Sequence, residues 1–536
     1  ANFHLARSAP RGPEDEVEKF KQQYLEGLVQ LERTARRPAG DELQQAPCKQ
    51  TCPCVASCEG RGWAADADAD RNYGQNVEYE RATFSPSSVR ELQHRLQRGR
   101  DKCLVPIAVR HSWGQGIAPA CAACEPVALE KLRGFSIDTC KKTLTVEAGV
   151  RFEDVLPELQ KRGLSLINYG AIKLQTVVGA VMTSTHGSGQ TPSVSNSVLE
   201  LKVLPGKGTG VKVLRPKVDK AAAGYLNSLG GLGFVIEMKL ALVPAFNVNV
   251  NYSYNLPHAA IQKHFVEQTE DSKDRVPGDY SWVVYSSESV NYIEKRVVVQ
   301  EPSTGLYISD WELFDSTLKP LLQTYDQQKF AAYPLAENIL AAVIEQPKNF
   351  TVYEANQYLP GSEHQAVKHV EMELFLEPTD IAQFLGVFES VLRDCPSCGY
   401  YHAYPIALRA IMPDDMPIWM SPFQNKPRVS VSFFTYLDLS SSDAPTEKLQ
   451  PFTAFCDRLL TEVVCNLTMD VKYHRGKYMV PDWIGASELE KDFVAGWHDF
   501  LALRGREDPK HKINSAYLQT FGKSMKSKYS ACSARS

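Results

Sequence analysis

The sequence lacks the features that mark a membrane-spanning or nucleic-acid-binding protein. Its 536 residues contain no run approaching the ~20 apolar residues that a membrane-spanning helix needs. The formal net charge is −4, so no strongly basic field points to nucleic acid as a partner. With 43% hydrophobic and 23% charged residues, the composition has an ordinary globular balance. We therefore predict two to four structural units and no transmembrane segment.

Cysteine is too sparse for a disulfide scaffold, with thirteen residues in a chain of this length. We rank local disulfides or free thiols ahead of metal for the CKQTCPCVASC cluster, because its spacing departs from the CxxC knuckle of zinc sites. Two CxxC pairs suit thiol redox chemistry, yet such pairs also occur as incidental loop pairs, and they predict no function alone. We predict no metal site. The clustered cysteines are Cys48, Cys52, Cys54 and Cys58, and the CxxC pairs are Cys121/Cys124 and Cys395/Cys398.

The first 80 residues show no strand periodicity. A charged helical stretch is predicted at 15–34, and a loop region rich in Pro, Cys, Ala and Asp follows it. We interpret 1–80 as a largely irregular, Cys-containing extension that is either wrapped on the surface or used for contact with a partner. The opening Ala1 to Arg11 has two Arg and no acid, and we rank a frayed basic tail ahead of the remnant of a targeting segment.

Strands and helices alternate from residue 81 onward. FSPSSVRELQHRLQRGR predicts a Ser-capped helix, and RFEDVLPELQKRG predicts a helix that ends at Gly163. LVPIAVRHSW, KKTLTVEAGV and LSLINYG predict strands, and QTVVGAVMTSTHGSG predicts a buried helix that breaks into a glycine loop. YSWVVYSS, KRVVVQE, HVEMELFLEP and RVSVSFFTYLD predict one large antiparallel sheet. The predicted divisions are 1–80, 81–246, 247–470, 471–522 and a tail at 523–536.

Several segments, in order, resemble the FAD-linked aldonolactone oxidases and dehydrogenases of the vanillyl-alcohol oxidase superfamily. They include TLTVEAGVRFEDVLPELQKRGLSLINYGAIKLQTVVGAVMTSTHGSG, LNSLGGLGFVIEMKLALVPAF, PIALRAIMPDDMPIWMSP, YHRGKYM and GWHDFLALRGREDPKHKINSAYLQTFG. The resemblance covers about 82–522. It implies an α+β fold with an FAD-binding domain of the vanillyl-alcohol oxidase (PCMH) type at 81–246. It also implies a substrate or cap domain on an antiparallel sheet at 247–470, and a segment at 471–522 that returns to the flavin site.

The resemblance and the residue types together predict FAD contacts in the glycine loop. Glycine lacks a Cβ where backbone amides approach phosphate or ring, and short hydroxyls beside it supply donors. A tight structural turn is the alternative reading of the glycines alone. Ile236 stands where relatives contact the adenine side. The predicted cofactor-binding residues in this part are Gly170, Gly179, Thr183, Ser184, Thr185, His186, Gly187, Ser188, Gly189, Gly233 and Ile236.

His111 in VRHSWGQG matches the histidine that many relatives bond covalently to the flavin. We rank this bond ahead of a simple hydrogen bond from the ring. Arg110 and Ser112 are also predicted to bind the cofactor. Relatives usually have two glycines just before this histidine, whereas this chain has Val109 and Arg110. The larger side chains would crowd the pyrophosphate unless Arg110 pairs with it.

Three residues are predicted to act on the substrate. Arg409 matches the arginine of the family's Glu-x-Arg motif, and Lys477 in HRGK matches its late lysine near the flavin, beside His474. A cation here would stabilise the developing alkoxide and the reduced flavin. The motif's glutamate is Ala407 in this chain, which removes a carboxylate that orients the hydroxyl and assists proton removal.

The resemblance predicts oxidation of a galactono- or gulono-1,4-lactone, as in ascorbate synthesis, with oxygen or cytochrome c as electron acceptor. The alternative is a catalytically weakened relative that serves as an assembly subunit of a larger complex. Plant members of the family assist respiratory complex I. Ala407, the missing glycines and the extension favour that alternative. Retention of Arg409, Lys477 and the glycine loop favours the enzyme. Family analogy also predicts a mitochondrial location.

Overall fold

The structure, a computed structural model, describes most of the chain from residue 71 onward and one earlier strand. The described residues are 55–59, 71–98, 103–114, 116–170, 172–189, 191–270, 280–283, 291–299, 349–353, 369–395, 398–400, 402, 406–436, 445–490, 494–527 and 529–535. The predicted helix at 15–34 and Cys48, Cys52 and Cys54 lie outside them. Among the described residues, no helix has the length and apolar content to cross a membrane.

Within the described residues, ten strands precede residue 246, and six of them form one antiparallel sheet in the order β1-β4-β5-β9-β7-β8. Alternate residues of its central strands are apolar and buried, as a half-covered sheet requires. β2 and β3 form a separate parallel pair. The strands are β1 Val55–Glu59, β2 Leu104–Ile107, β3 Glu125–Ala128, β4 Gly134–Asp138, β5 Thr143–Glu147, β6 Leu164–Ser165, β7 Val198–Pro205, β8 Lys212–Leu214, β9 Gly233–Ala241 and β10 Val243–Pro244.

The predicted helix after β5 is confirmed, and the contacts at its two ends explain where it starts and stops. The Arg151 amide donates to Asp154 Oδ2 at 3.1 Å, as in a capping box, and the chain turns at Gly163 with φ +63°. The predicted strand LSLINYG is shorter than expected, because only Leu164 and Ser165 pair, with β10. The helical segments of this part are Val89–Arg98, Phe152–Gln160, Val177–Met182, the 3₁₀ turn Val194–Ser197, and Lys220–Tyr225.

The second sheet has eight strands, all antiparallel neighbours, in the order β14-β11-β13-β12-β16-β17-β15-β18. The prediction of one large antiparallel sheet is therefore confirmed. The strands are β11 Asn247–Tyr254, β12 Tyr280–Val283, β13 Asn291–Val299, β14 Asn349–Tyr353, β15 His369–Leu376, β16 Ile406–Ile411, β17 Arg428–Tyr436 and β18 Lys472–Tyr473.

Amphipathic helices pack on this sheet. The helix Ile381–Asp394 buries Ile381, Phe384, Leu385 and Phe388, which recur at helical spacing on one face. Burying such a side chain contributes about 1.5–3 kcal/mol each. The remaining helical segments are His258–Thr269, Pro378–Asp380, Pro445–Lys448, Gln450–Leu460, the π-helical turn Thr461–Asn466, Pro481–Trp483, Ser487–Glu490, Val494–Glu507 and Ala516–Ser527.

The C-terminal segment contacts both sheets. β18 pairs with β15 at the edge of the second sheet. Farther along, the Leu104 amide donates to Lys512 O at 2.7 Å, and the Asn514 amide donates to Leu104 O at 3.0 Å, beside the first sheet. The buried Asp508 carboxylate accepts from the amides of Lys512 and Ile513 and fixes this turn. The last segment thus brings residues 472–477 between the two sheets.

Candidate functional site

A cavity opens between the β2–β3 pair and the helix Val177–Met182. Its atom-free space is about 880 Å³, which includes space open to solvent. Its walls are mostly apolar, with polar groups from two loops. The predicted site residues among its lining are Arg110, His111, Ser112, Gly179, Thr183 and Gly233.

Glycine is required at two points of this wall. A Cβ on Gly179 would lie 2.6 Å from Thr176 Oγ1, the atom that accepts from the Gly179 amide and caps the helix. Gly233 has φ +141°, and a Cβ there would lie 2.4 Å from Leu204 O. Both substitutions would force the backbone to move at the cavity wall.

The other predicted cofactor residues lie behind the cavity wall rather than on it. A Cβ on Gly170 would meet Thr185 at 2.7 Å, and one on Gly187 would meet Asn168 Oδ1 at 2.1 Å, so these glycines pack against the chain itself. The Gly189 amide donates to Ala410 O at 2.9 Å and joins the glycine loop to the second sheet. Ser184, Thr185, His186, Ser188 and Ile236 are buried in the same region.

Arg110 and His111 face the cavity from the loop after β2. Arg110 has φ +59°, and its guanidinium lies 5.7 Å from the Tyr79 ring centroid and donates to Thr83 Oγ1 at 3.3 Å. Among the described residues its buried Nε has no hydrogen-bond partner. The His111 ring is buried and stacks on Tyr73, with 4.7 Å between ring centroids. This stacking fixes the ring plane at the cavity edge.

A second group of polar side chains meets on one face of the second sheet, next to the cavity. Glu371 and Glu373 stand two residues apart on β15 and therefore share a face. Glu373 is directly opposite Ser432 on β17, and Ser432 is directly opposite Ala407 on β16. Residues paired across neighbouring strands lie on the same face of the sheet. The Glu373 carboxylate therefore lies on the same face as Ala407, two strands away.

Glu373 is paired with two of the predicted site residues. Its Oε1 lies 2.9 Å from Arg409 Nη2 and 3.1 Å from His186 Nε2, and its side chain is fully buried. Burial alone would raise the pKa of Glu373, but the charges of Arg409 and His186 outweigh burial and hold that pKa well below its usual value. Among the described residues its Oε2 has no hydrogen-bond partner. An ionised carboxylate thus presents one unpartnered oxygen.

His186 and His474 complete this group. Both ring nitrogens of His186 face acceptors, Gly187 O at 2.9 Å and the Glu373 carboxylate. A neutral ring carries one proton and donates to only one of these acceptors. Burial holds the pKa of His474 well below its usual value, despite the opposing effect of Glu373. The Gly476 amide donates to His474 Nδ1 at 3.0 Å, which places the proton of the neutral ring on Nε2.

Lys477 lies beside the cluster rather than in it. Its ammonium pairs with Glu371 and lies 4.4 Å from the Trp113 ring centroid. The Trp113 amide donates to Gly476 O at 3.1 Å, so the loop after His111 contacts the loop that carries Lys477. A Cβ on Gly476 would lie 3.0 Å from Thr183 Cβ. The polar group therefore adjoins the Thr183 end of the cavity.

The comparisons with known proteins agree with this geometry. Residues 81–214 match the protein family described as FAD binding domain. The protein carries an FAD-binding domain of the vanillyl-alcohol oxidase type. FAD is its cofactor, and the predicted α+β fold is confirmed.

The relatives include the predicted lactone-oxidising class. A long-chain alcohol oxidase from an uncultured marine euryarchaeote is 22% identical over 68% of this chain and 81% of its own. L-galactono-1,4-lactone dehydrogenase 1, mitochondrial, from Oryza sativa subsp. japonica is 27% identical over 42% of this chain and 38% of its own. L-gulonolactone oxidase from Bos taurus is 31% identical over 31% of this chain and 38% of its own. The matches span under half of each of these two lactone-oxidising relatives, and the predicted resemblance is confirmed at the family level.

Solved structures support the fold alone. A cholesterol oxidase from B. sterolicum has a TM-score of 0.69 and 14% identity, and the match covers 89% of this chain and 99% of that one. The likeness therefore supports the fold over most of the chain.

The lining of this cavity suits FAD in its chemistry. Its apolar walls suit a flat ring system, and Arg110 offers a cation for the pyrophosphate. Gly179 lies on this wall, where an added Cβ would meet Thr176 Oγ1. The His186, Glu373 and His474 ligand atoms lie within 4.8 Å of one another and would be close enough for a metal ion. Arg409 beside them opposes a second cation there.

Glu371 and Glu373 were not singled out from the sequence. The signal was present in HVEMELFL, where two acids alternate with apolar residues inside a buried strand. A buried carboxylate needs a partner or a function, so this alternation marks them. Their pairing with Arg409 and Lys477 depends on strand register, which the sequence pattern alone does not supply.

Proposed function

We propose that this protein is an FAD-dependent oxidoreductase that oxidises the secondary hydroxyl of a sugar 1,4-lactone of the galactono- or gulonolactone type. The relatives support the lactone class, and the FAD domain supports the redox chemistry. The single observation that carries the proposal is the unpartnered Oε2 of Glu373 beside Arg409. Glu373 would supply the carboxylate that Ala407 had put in doubt, and Arg409 would supply the guanidinium beside it.

Bound FAD supplies the hydride acceptor. We assign Glu373 Oε2 to accept a hydrogen bond from the reacting hydroxyl and so orient the substrate carbon. Its low pKa makes it a weak base, so the proton moves to it only as negative charge develops on the substrate oxygen. Arg409 and the Nε2–H of His474 stabilise that charge. Lys477 is held near Trp113 by Glu371, at the Thr183 end of the cavity.

The test is anaerobic reduction of the bound flavin. Purified full-length protein is expected to show an oxidised flavin spectrum that bleaches on addition of galactono- or gulono-1,4-lactone. An intact flavin spectrum that no lactone and no alcohol can bleach contradicts the proposal. Acid precipitation of the same sample separates covalent from dissociable FAD.

An apolar alcohol is a second candidate substrate, and one observation favours it. The long-chain alcohol oxidase matches over more of both chains than the lactone relatives do. Faster bleaching by a long-chain primary alcohol than by either lactone would select this candidate.

The assembly role remains the alternative for a chain whose flavin does not turn over. Ala407 supports it, and the placement of Glu373 weighs against it.

The electron acceptor, oxygen or cytochrome c, is assigned by following reoxidation with each in turn. The mitochondrial location draws support from the rice relative, which is named as a mitochondrial enzyme. Fractionation of the source cells tests this location.

A further inference from the structure

Three cysteines meet beside the starts of β2 and β3 and take no part in the proposed chemistry. Cys103 and Cys124 form a disulfide with 4.4 Å between their Cα atoms. Cys121 is a free, exposed thiol whose Sγ lies 3.2 Å from Cys124 Sγ. Because Cys124 has no proton, Cys121 is the donor in this contact. A free thiol therefore touches the sulfur it would attack.

We propose that Cys103, Cys121 and Cys124 form a thiol–disulfide exchange site. The Cys121 thiolate attacks Cys124 Sγ, the Cys121–Cys124 bond forms, the Cys103–Cys124 bond breaks and Cys103 leaves as a thiolate. Solvent takes the Cys121 proton and returns one to Cys103. The step is redox-neutral, because one disulfide and one thiol stand on each side. It requires no oxidant.

The local fold supports the exchange. Cys121 and Cys124 are the ends of a CAAC turn in which the Cys124 amide donates to Cys121 O at 2.9 Å. Short CxxC loops of this kind hold disulfides in thiol redox proteins. Cys124 is buried, whereas Cys121 is exposed, so solution thiols reach the site through Cys121.

A second cavity gives the site its access. Cys121 and Cys124 line a cleft of about 1850 Å³ of atom-free space, which also contains Trp113 and Tyr478. Four carboxylates line the same cleft, from Glu78, Glu80, Asp457 and Asp482. Arg71 and Arg535 pair with two of them, and the other two favour a cationic thiol over an anionic one. A small cationic thiol or disulfide is therefore the class of ligand expected here.

Exchange would change what holds the FAD cavity together. Cys103 immediately precedes β2, and Cys124 immediately precedes β3, so their disulfide joins the starts of two paired strands. Pro106 and Ile107 of β2 and Val127 of β3 line the FAD cavity. The exchanged bond lies within one loop and leaves β2 without this link. Exchange would thus remove a covalent link beside the cofactor wall.

Peptide mapping tests the proposal on the full-length wild-type protein. The protein is incubated at pH 8 with cysteamine and cystamine, quenched in acid to stop exchange, alkylated, and digested with trypsin without reduction. Trypsin places Cys103 in residues 103–110 and both other cysteines in residues 111–131. Exchange yields alkylated 103–110 and an internal disulfide in 111–131. The unexchanged protein yields the two peptides cross-linked, with Cys121 alkylated.

The internal disulfide of 111–131 must appear in the wild-type protein, and its absence overturns the proposal. Alkylation of all three cysteines also overturns it, since that result shows simple reduction. In Cys121→Ser the cross-link to Cys103 is expected to persist, and in Cys103→Ser the internal disulfide is expected to form directly. Cys456→Ser removes a buried free thiol elsewhere and should leave the wild-type pattern unchanged.

Discussion

Glu373 on β15 and Arg409 on β16 pair across the intervening strand β17, with 2.9 Å between Oε1 and Nη2. The two residues are 36 positions apart, and neither side chain has more than a tenth of its surface exposed. An ion pair buried to this degree carries a large desolvation cost and is weak evidence for a role in stability alone. Its position beside the FAD cavity makes catalysis the better explanation.

We predict that Glu373→Gln lowers kcat by roughly a hundred to ten thousand times, because the amide accepts the hydroxyl proton far less readily. Steady-state rates with the lactone that bleaches the flavin provide the measurement. Glu377→Gln is the matched control, since Glu377 pairs with Lys426 in a partly exposed bridge worth about 0–1 kcal/mol. Thermal unfolding and the flavin spectrum separate lost chemistry from lost fold.

A rescue variant sharpens this prediction. Ala407 and Glu373 both lie opposite Ser432 and share a face, so Ala407→Glu introduces a carboxylate on that face. The double variant with Glu373→Gln should recover part of the lost kcat. If Glu373→Gln keeps wild-type kcat, the assigned role is wrong.

Strand positions could be read from the sequence because alternation and β-branched residues are local signals. HVEMELFL and RVSVSFFTYL predicted β15 and β17 correctly. The site could not be predicted in the same way. Along the chain β16 follows β15, but in the sheet β17 lies between these two strands. The family pattern directed attention to Ala407 and its missing carboxylate. Only the strand register shows that Glu373 lies opposite Ser432, on the same face as Ala407.

The glycine loop shows the opposite limit. Its composition predicts cofactor contacts, and two of its residues, Gly179 and Thr183, line the cavity that we assign to FAD. Composition does not distinguish a glycine that faces a ligand from one that faces its own chain. Gly187 is of the second kind, since a Cβ there would meet Asn168. That distinction depends on packing between segments distant in sequence.

His111→Ala is predicted to make the flavin extractable by acid, because we propose the ring at the cavity edge as the nucleophile of a covalent link to the flavin. Absorbance of the supernatant after acid precipitation measures the released flavin. Ser112→Ala is the control, as Ser112 lines the same cavity and has no comparable nucleophile. Complete release of flavin from the native protein would end the covalent hypothesis.

Gly179→Ala is predicted to lower the ratio of flavin to protein. The added Cβ would lie 2.6 Å from Thr176 Oγ1 and disturb the cap that this oxygen provides, typically worth ~1 kcal/mol. Gly386→Ala is the control, because Gly386 lies in a helix with no atom within 4 Å of a new Cβ. That variant should keep its flavin and gain about 0.5–1 kcal/mol of stability. Equal flavin content in the two variants would contradict the assigned cavity.

Asp414 is predicted to make the protein less stable as pH rises. Burial raises its pKa to about 6, although Oδ1 accepts from Asn196 Nδ2 at 2.5 Å and from Ser193 Oγ at 3.2 Å. An acid with a raised pKa binds its proton more tightly in the folded state. Folding stability is therefore full below the unfolded value near 4 and falls as pH rises to about 6.

Asp414→Asn keeps an oxygen acceptor for Asn196 and Ser193 and removes the buried charge. Its free energy of unfolding relative to wild type should rise by up to roughly 3 kcal/mol between pH 4 and pH 7, as a shift of about two units implies. Urea unfolding at several pH values measures this difference. Asp415→Asn, at the exposed neighbouring position, should stay within about 0.5 kcal/mol of wild type throughout. A difference for Asp414→Asn that does not change with pH would show that this carboxyl group is ionised in the folded protein throughout that range.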